Sequence, residues 1–331
     1  MDHPHDSHPV FICSTGRTGT QFLADSLASM VSHSKAYHEP GVLWATRPLD
    51  ILRKVLKFGP YHMSFGQLDI NRSMYVLSNS RAAGRVTDAE AVAYLRKMRG
   101  NLVGSENGQI YIESSGHLFG VLDLIPEVFP NAKIIYIVRD PRTWIASALR
   151  TIEFILYGPI DHGISVRASD LPEDPFAIYW KQMPKFERYA WWYEFVNSYV
   201  LQRCKSMDNF RVYRFEDLFG GEQRDEYFTS MLDFVSTFPD GYTVPYEFKP
   251  ELLKKPKHSQ KKSKGYFPWR MWRYPRVQML LRHCRHYMEM FGYGTEPAWQ
   301  EKERILRLRE SKKRLGGIRL FYRHTGHHRH T

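Results

Sequence analysis

Val10 to Ser14 is a short, almost uninterrupted apolar run that breaks at once into Thr15-Gly16-Arg17-Thr18-Gly19-Thr20, and Gln21 to Val31 then carries apolar residues at helical spacing. That pattern predicts strand, tight glycine turn and helix. Further along, Gln109 to Ser114 alternates like a strand, Leu118 to Phe129 has helical spacing and Lys133 to Val138 reads as a buried strand. Arg142 to Arg150 is helical after Pro141, and the long aromatic helical stretch Phe176 to Cys204 leads to a further strand over Asn209 to Phe215. Strands alternating with helices predict an α/β domain with a central, mostly parallel sheet flanked by helices. Two insertions interrupt the rhythm: Glu39 to Gly108, with helical segments of its own, and Tyr157 to Pro175, rich in Pro, Gly and Asp. Ligands of open α/β sheets sit outside the carboxyl ends of the strands, so insertions following strands are expected to wall a substrate cleft. Pro245 to Pro268 lacks periodicity and is loaded with Lys, which predicts a long functional loop.

Composition narrows the picture. The chain has 331 residues, 43% hydrophobic and 15% aromatic, which excludes a disordered or collagen-like protein. One domain to about residue 300 with a basic tail over 301–331 is the expected organisation. Three scattered cysteines, Cys13, Cys204 and Cys284, fit neither a disulfide framework nor a four-cysteine zinc site, which points to a reducing compartment. With no apolar run of about 18 residues and no secretory leader to be read, a cytoplasmic location is expected.

The net charge of +12 is concentrated late in the chain. Lys249 to Arg285 holds twelve Lys/Arg against one acid, and Glu301 to Thr331 ten against three, so the rest of the chain is acidic. This asymmetry predicts an anionic partner. The tail has two open readings, a helix whose basic face rests on an anionic membrane or acidic polysaccharide, and a solvated helix with a frayed end.

The turn after the first strand carries the strongest chemical signal. Gly16 and Gly19 let the backbone fold into a nest of N–H groups, and the following helix adds the positive end of its dipole, which together make an anion site. A nucleoside-triphosphatase loop ends in Gly-Lys-Ser/Thr, whereas here Thr20 follows Gly19 directly and the cation is Arg17. A second signal stands at the end of the Lys133 to Val138 strand, where Arg139 emerges on the same edge of the sheet as the first loop and Ser147 follows two helical turns on. Both can bind a second phosphate; alternatively, Arg139 and Asp140 only cap and charge the next helix.

Together the two signals resemble the sulfotransferases that use 3′-phosphoadenosine 5′-phosphosulfate as donor. The resemblance runs in order from about Phe11 to Trp272 and implies a nucleotide-kinase-like sulfotransferase fold with helical insertions. By that resemblance, Gly16, Arg17, Thr18, Gly19, Thr20 and Gln21 cradle the 5′-phosphosulfate, while Arg139 and Ser147 bind the 3′-phosphate. Tyr213 to Leu218 looks like the family's late strand with its acidic end. A basic, glycine-containing segment closes over the nucleotide in similar enzymes, and Lys264 and Gly265 are its counterparts here, although the usual two-glycine pattern is not reproduced and a solvated charge run is the rival reading.

Sulfuryl transfer shares the loose, in-line character of phosphoryl transfer, so positioning and electrostatics dominate. The transferred group carries less charge than a phosphoryl group, and no metal is expected; Arg17 instead neutralises the leaving phosphate. The acceptor hydroxyl needs a general base. Glu39, just after an expected second strand, stands where carbohydrate-type members carry a glutamate; His117 stands where small-molecule members carry a histidine. The arginine-type loop resembles the carbohydrate branch, which favours Glu39 and a carbohydrate or glycolipid acceptor. The rivals are a kinase-like phosphotransferase and a non-enzymatic binder of anionic polymers; nucleic acid is the less expected partner. The clusters Trp191-Trp192-Tyr193 and Tyr266 to Tyr274 read as core, and His283 and His286 lack a third metal ligand.

Overall fold

The computed structural model of the protein describes residues 7–42, 48–104, 109–150, 164–253 and 268–325. Five strands, β1 (Val10–Ser14), β2 (Ser34–His38), β3 (Ile110–Ser114), β4 (Lys133–Val138) and β5 (Phe210–Arg214), form one sheet in the order β2-β3-β1-β4-β5. Every pairing is parallel. β1 and β3 are buried at every position and β4 at all but its first, as continuous apolar runs covered on both faces must be.

Strand alternation divides the core in two. Phe11, Cys13, Tyr111, Ile134, Tyr136 and Val138 point to one face. There they meet α4 (Met74–Ala82), α5 (Asp88–Gly104), α7 (Pro141–Ala148), α8 (Lys185–Cys204) and α12 (Tyr274–Met290). Val10, Ile12, Ile110, Ile112, Ile135 and Ile137 point to the other, against α1 (Thr20–Met30) and α10 (Arg224–Ser236). A final helix, α13 (Pro297–Thr325), begins before residue 300 and packs on α12, with Trp299 and Leu306 buried.

The insertion between β2 and β3 holds α2 (Pro48–Phe58), α3 (Pro60–Met63), a 3-10 turn at Phe65–Leu68, then α4 and α5. Three further short helices, α6 (Ile125–Val128), α9 (Phe215–Phe219) and α11 (Pro250–Leu253), join the longer elements.

Two expected helices are broken. Leu118 to Phe129 resolves into 3-10 turns at Gly116–Leu118 and Leu122–Leu124 followed by α6. Gly120 lies so close to α4 that a Cβ would stand 2.2 Å from the Ser78 carbonyl oxygen, so the segment bends around that backbone. Phe176 to Cys204 divides into a 3-10 helix at Ala177–Gln182 and α8, because Pro184 holds Met183 extended.

The order of the strands fixes where the loops converge. From β1 the chain leaves through α1 toward β2, and from β4 it leaves toward β5 on the opposite side. β1 and β4 are therefore the adjacent strands whose exits diverge, and the crevice between their carboxyl ends is the ligand position of such sheets.

Candidate active site

The two sequence motifs occupy the two sides of that crevice. In the β1 loop, Gly16, Arg17 and Gly19 have φ of 76°, 56° and 79°. Glycine meets this left-handed requirement at two of the three positions, and Gly19 has a second reason, since a Cβ there would lie 2.9 Å from Phe219 Cζ. Ser14 Oγ ties the loop by accepting from the Gly16 N–H at 2.9 Å and the Thr18 hydroxyl at 2.6 Å. At the start of α1 the Thr20, Gln21 and Phe22 N–H groups have no intrahelical acceptor, because the ladder begins with Leu23 donating to the Gly19 carbonyl at 2.9 Å.

The β4 loop locks onto this nest. Arg139 donates to the Arg17 carbonyl, and its Nε donates to Thr143 Oγ1 at 3.0 Å. Arg17 Nε donates to Ser147 Oγ at 3.3 Å, and Trp144 Nε1 donates to the Gly16 carbonyl at 3.0 Å. Two guanidinium groups from opposite sides of the crevice are thereby held at one place by hydrogen bonds between the motifs.

Asp140 does cap α7, accepting from the Arg142 N–H at 2.8 Å, while its neighbour Arg139 reaches the β1 loop. Trp144→Phe, which keeps most of the apolar packing but loses the bond to Gly16, is expected to lower the unfolding free energy by about 1 kcal/mol. Urea denaturation reads this directly, and an unchanged midpoint and slope would show that the bond adds nothing.

The third and fourth components come from the other side of β1. Gly116, at the end of β3, packs so closely on the loop that a Cβ would lie 3.3 Å from Gly16 N and from the Ser14 carbonyl. His117 follows, half-buried, with Ser115 Oγ accepting its N–H at 3.1 Å and the Tyr75 ring centroid 4.9 Å away. At the end of β2, Glu39 N–H donates to the Ser114 carbonyl at 3.1 Å, so the glutamate is laced onto the same strand end as the histidine. Glu39 is 9% exposed and has φ of 46°, a conformation costly for a non-glycine residue. It is held there from the insertion: Gln67 Nε2 and His62 Nε2 each donate to the Gly41 carbonyl at 2.8 Å, and Lys54 Nζ donates to the Val42 carbonyl at 2.7 Å.

The two base candidates thus share one corner and feel each other's charge. Burial pushes the Glu39 carboxyl up, but His117, His38 and Lys54 and the Gly116 N–H outweigh it and hold the group below its ordinary value. Burial holds the His117 imidazole below its ordinary value, against the pull of the Glu39 carboxylate. Beside this corner opens a pocket lined by Gly41, Gln67, Arg72, Ser73, Tyr75 and His117. Lys264 and Gly265 lie outside the described residues.

Supporting contacts that the sequence did not reveal come from distant segments. Tyr193, read above as core, donates its hydroxyl to the Arg139 carbonyl at 2.5 Å. Glu216, at the acidic end of β5, accepts from the Asp140 N–H at 3.1 Å and from the Tyr293 hydroxyl at 2.7 Å. Phe215 places its ring 4.5 Å from the Arg139 guanidinium. Glu113 is fully buried in β3, accepting from Arg99 at 2.6 and 2.8 Å and from the Tyr111 hydroxyl at 2.7 Å. A charged residue inside an apolar strand was the available signal, but its partner lies in the insertion.

Among the described residues no cluster of three or more His, Cys, Asp or Glu is arranged to hold a metal ion, and no helix is long and apolar enough to cross a membrane.

No curated protein is similar enough in sequence to match. Among solved structures, the chain is similar to a sulfotransferase from Mycobacterium avium, at 13% identity and TM-score 0.45, covering 87% of this chain and 77% of that one. It is also similar to the sulfotransferase domain of the Synechococcus olefin synthase, at 16% identity and TM-score 0.42, covering 89% and 98%. The sulfotransferase domain from the curacin biosynthetic pathway gives 16% identity, TM-score 0.41 and coverage of 78% and 81%. Residues 9–165, which include β1 through β4, both motif loops and the Glu39–His117 corner, match the sulfotransferase family.

Proposed function

We propose that the protein transfers a sulfuryl group from 3′-phosphoadenosine 5′-phosphosulfate to a hydroxyl group of a carbohydrate or glycolipid. The observation that carries this reading is the meeting of four strand ends at one crevice. β1 brings a backbone nest and Arg17, β4 brings Arg139 and Ser147, and β2 and β3 bring a carboxylate and an imidazole.

The roles follow from the charges that move. As the acceptor oxygen bonds to sulfur, its proton passes to the base at the Glu39–His117 corner. The bond from sulfur to the bridging oxygen breaks, and its electron pair stays on the phosphate, where Arg17 and the α1 N-terminus stabilise it. Arg139 and Ser147 engage the 3′-phosphate, which distinguishes this donor from a simple adenylate. In the small pocket beside His117, Arg72, Ser73 and Tyr75 offer polar groups to the acceptor between the apolar side chains of Val42 and Met74.

The test is a binding ratio. 3′-Phosphoadenosine 5′-phosphate is expected to raise the melting temperature clearly more than AMP at equal concentration. Arg139→Ala is expected to weaken the bisphosphate by about tenfold, the worth of one charge-assisted hydrogen bond, with AMP much less affected. The ratio matters because Arg139 also holds the Arg17 carbonyl, and a general loosening of the loop would weaken both nucleotides alike. Equal stabilisation of the wild-type protein by both nucleotides would remove the second phosphate site and the donor assignment with it.

A further inference from the structure

The segment from α2 to the Phe65–Leu68 turn turns an unusual amount of apolar surface outward. Leu49, Leu52 and Leu56 are 67%, 54% and 77% exposed, and Phe65 and Leu68 are 72% and 65% exposed. The three leucines recur at i, i+3 and i+7 and so make one stripe along α2. The opposite side of the helix is what the domain holds: Lys54 on the Val42 carbonyl and Phe58 stacked on His62 at 5.1 Å. Arg53 and Lys57 flank the outer stripe on one side by helical geometry, and both are exposed.

An eleven-residue helix is marginal on its own in water, and this one leaves all three of its leucines more than half exposed. We propose that the α2 to Phe65–Leu68 face is a docking surface for an anionic lipid bilayer. Leucine and phenylalanine side chains would enter the headgroup–acyl boundary, and Arg53 would meet acidic headgroups, with Lys57, whose ammonium lies 4.6 Å over the Tyr37 ring, adding to the positive field behind it. Charge selects this occupant. Residues 48–72 are net positive, with Arg53, Lys54, Lys57 and Arg72 against Asp50 and Asp69; Lys54 faces the domain, Arg53 edges the stripe, and an apolar stripe in a positive segment is the pattern of helices lying in an anionic interface.

The face is also continuous with the site. Gln67 lines the pocket beside His117 and holds the Gly41 turn, while Phe65 and Leu68, in the same 3-10 turn, face outward. Docking would bring the pocket mouth to the membrane surface, which makes the acceptor a hydroxyl on a lipid headgroup. This last step rests on the proposed sulfuryl transfer, whereas the docking itself needs neither donor nor turnover, so the two stand or fall separately.

The experiment is flotation of the full-length protein with phosphatidylcholine vesicles prepared with and without phosphatidylglycerol. Protein is expected to float with the anionic vesicles and not with the neutral ones. L52D/L56D is expected to reduce the floated fraction by about tenfold, with melting temperature and bisphosphate binding unchanged. The milder L56S, at the most exposed position of the stripe, should reduce flotation in the same direction and serves if the double variant folds poorly. Absence of flotation, or undiminished flotation of both variants because the C-terminal tail carries it, would overturn the proposal. So would a wild-type dimer that L52D/L56D dissociates, since a second copy would then cover the face.

Discussion

Arg17→Ala is expected to lower the turnover number of the proposed sulfuryl transfer by roughly a hundredfold or more, about 3 kcal/mol of barrier, with donor affinity falling far less. The reason for the asymmetry is where charge develops. The donor's bridging oxygen carries little charge before the bond to sulfur breaks and much more afterward, so a fixed cation beside it stabilises the transition state beyond the bound donor. Arg17 is fixed, since its carbonyl is held by Arg139 and its Nε donates to Ser147 Oγ at 3.3 Å. Its backbone φ of 56° is unfavourable for alanine too, so a melting curve must accompany the kinetics. Arg17→Lys, which shares that strain and keeps the charge, separates the effects: it should retain much more activity than alanine. An unchanged turnover number in Arg17→Ala would make the side chain a brace for the β4 loop and nothing more.

That central part of the site was legible in the sequence for a physical reason. β1 and β4 are buried on both faces, so their apolar runs are continuous and their ends are sharply marked by Gly16 and by Pro141. The residues that follow such ends must lie at the rim of the sheet. The edge of the site was harder to read. β2 is only partly buried, and its sequence Ser-Lys-Ala-Tyr-His gives little pattern, although the position of Glu39 beyond it was still inferred.

The supporting contacts were beyond reach for a different reason. Tyr193 lies 54 residues from Arg139, and Glu216 lies 76 residues from Asp140. Periodicity reports which face of an element is apolar, but not which tyrosine among several buried ones ends at a given carbonyl. The same limit hid the outward stripe on α2. An apolar spacing of i, i+3 and i+7 reads identically whether the leucines enter a core or face outward, and only the exposure of Leu49, Leu52 and Leu56 distinguishes the two.

The base is a choice between Glu39 and His117, which the structure places at one corner. Glu39→Gln is expected to reduce transfer by about three orders of magnitude while leaving bisphosphate binding intact, because the amide keeps the shape and loses the basicity. The φ of 46° is retained in that variant, so strain is not a confounding difference. His117→Ala is expected to be milder, acting through the acceptor pocket that the imidazole lines. The pH profile supplies a separate readout. A base must be deprotonated to act, so kcat/KM falls as pH drops through its pKa in the free enzyme. Surrounding positive groups hold the Glu39 carboxyl below its ordinary value despite burial, which places the acid limb below about 4.3, the usual value for glutamate. Burial also lowers His117, so a histidine base would put the limb below about 6.5, and loss of the Glu39 charge would move it lower still by removing the pull toward protonation. The decisive pattern is therefore joint. An acid limb that shifts downward in Glu39→Gln with turnover largely preserved, together with loss of transfer in His117→Ala, would assign proton removal to the imidazole and leave the carboxylate to orient it.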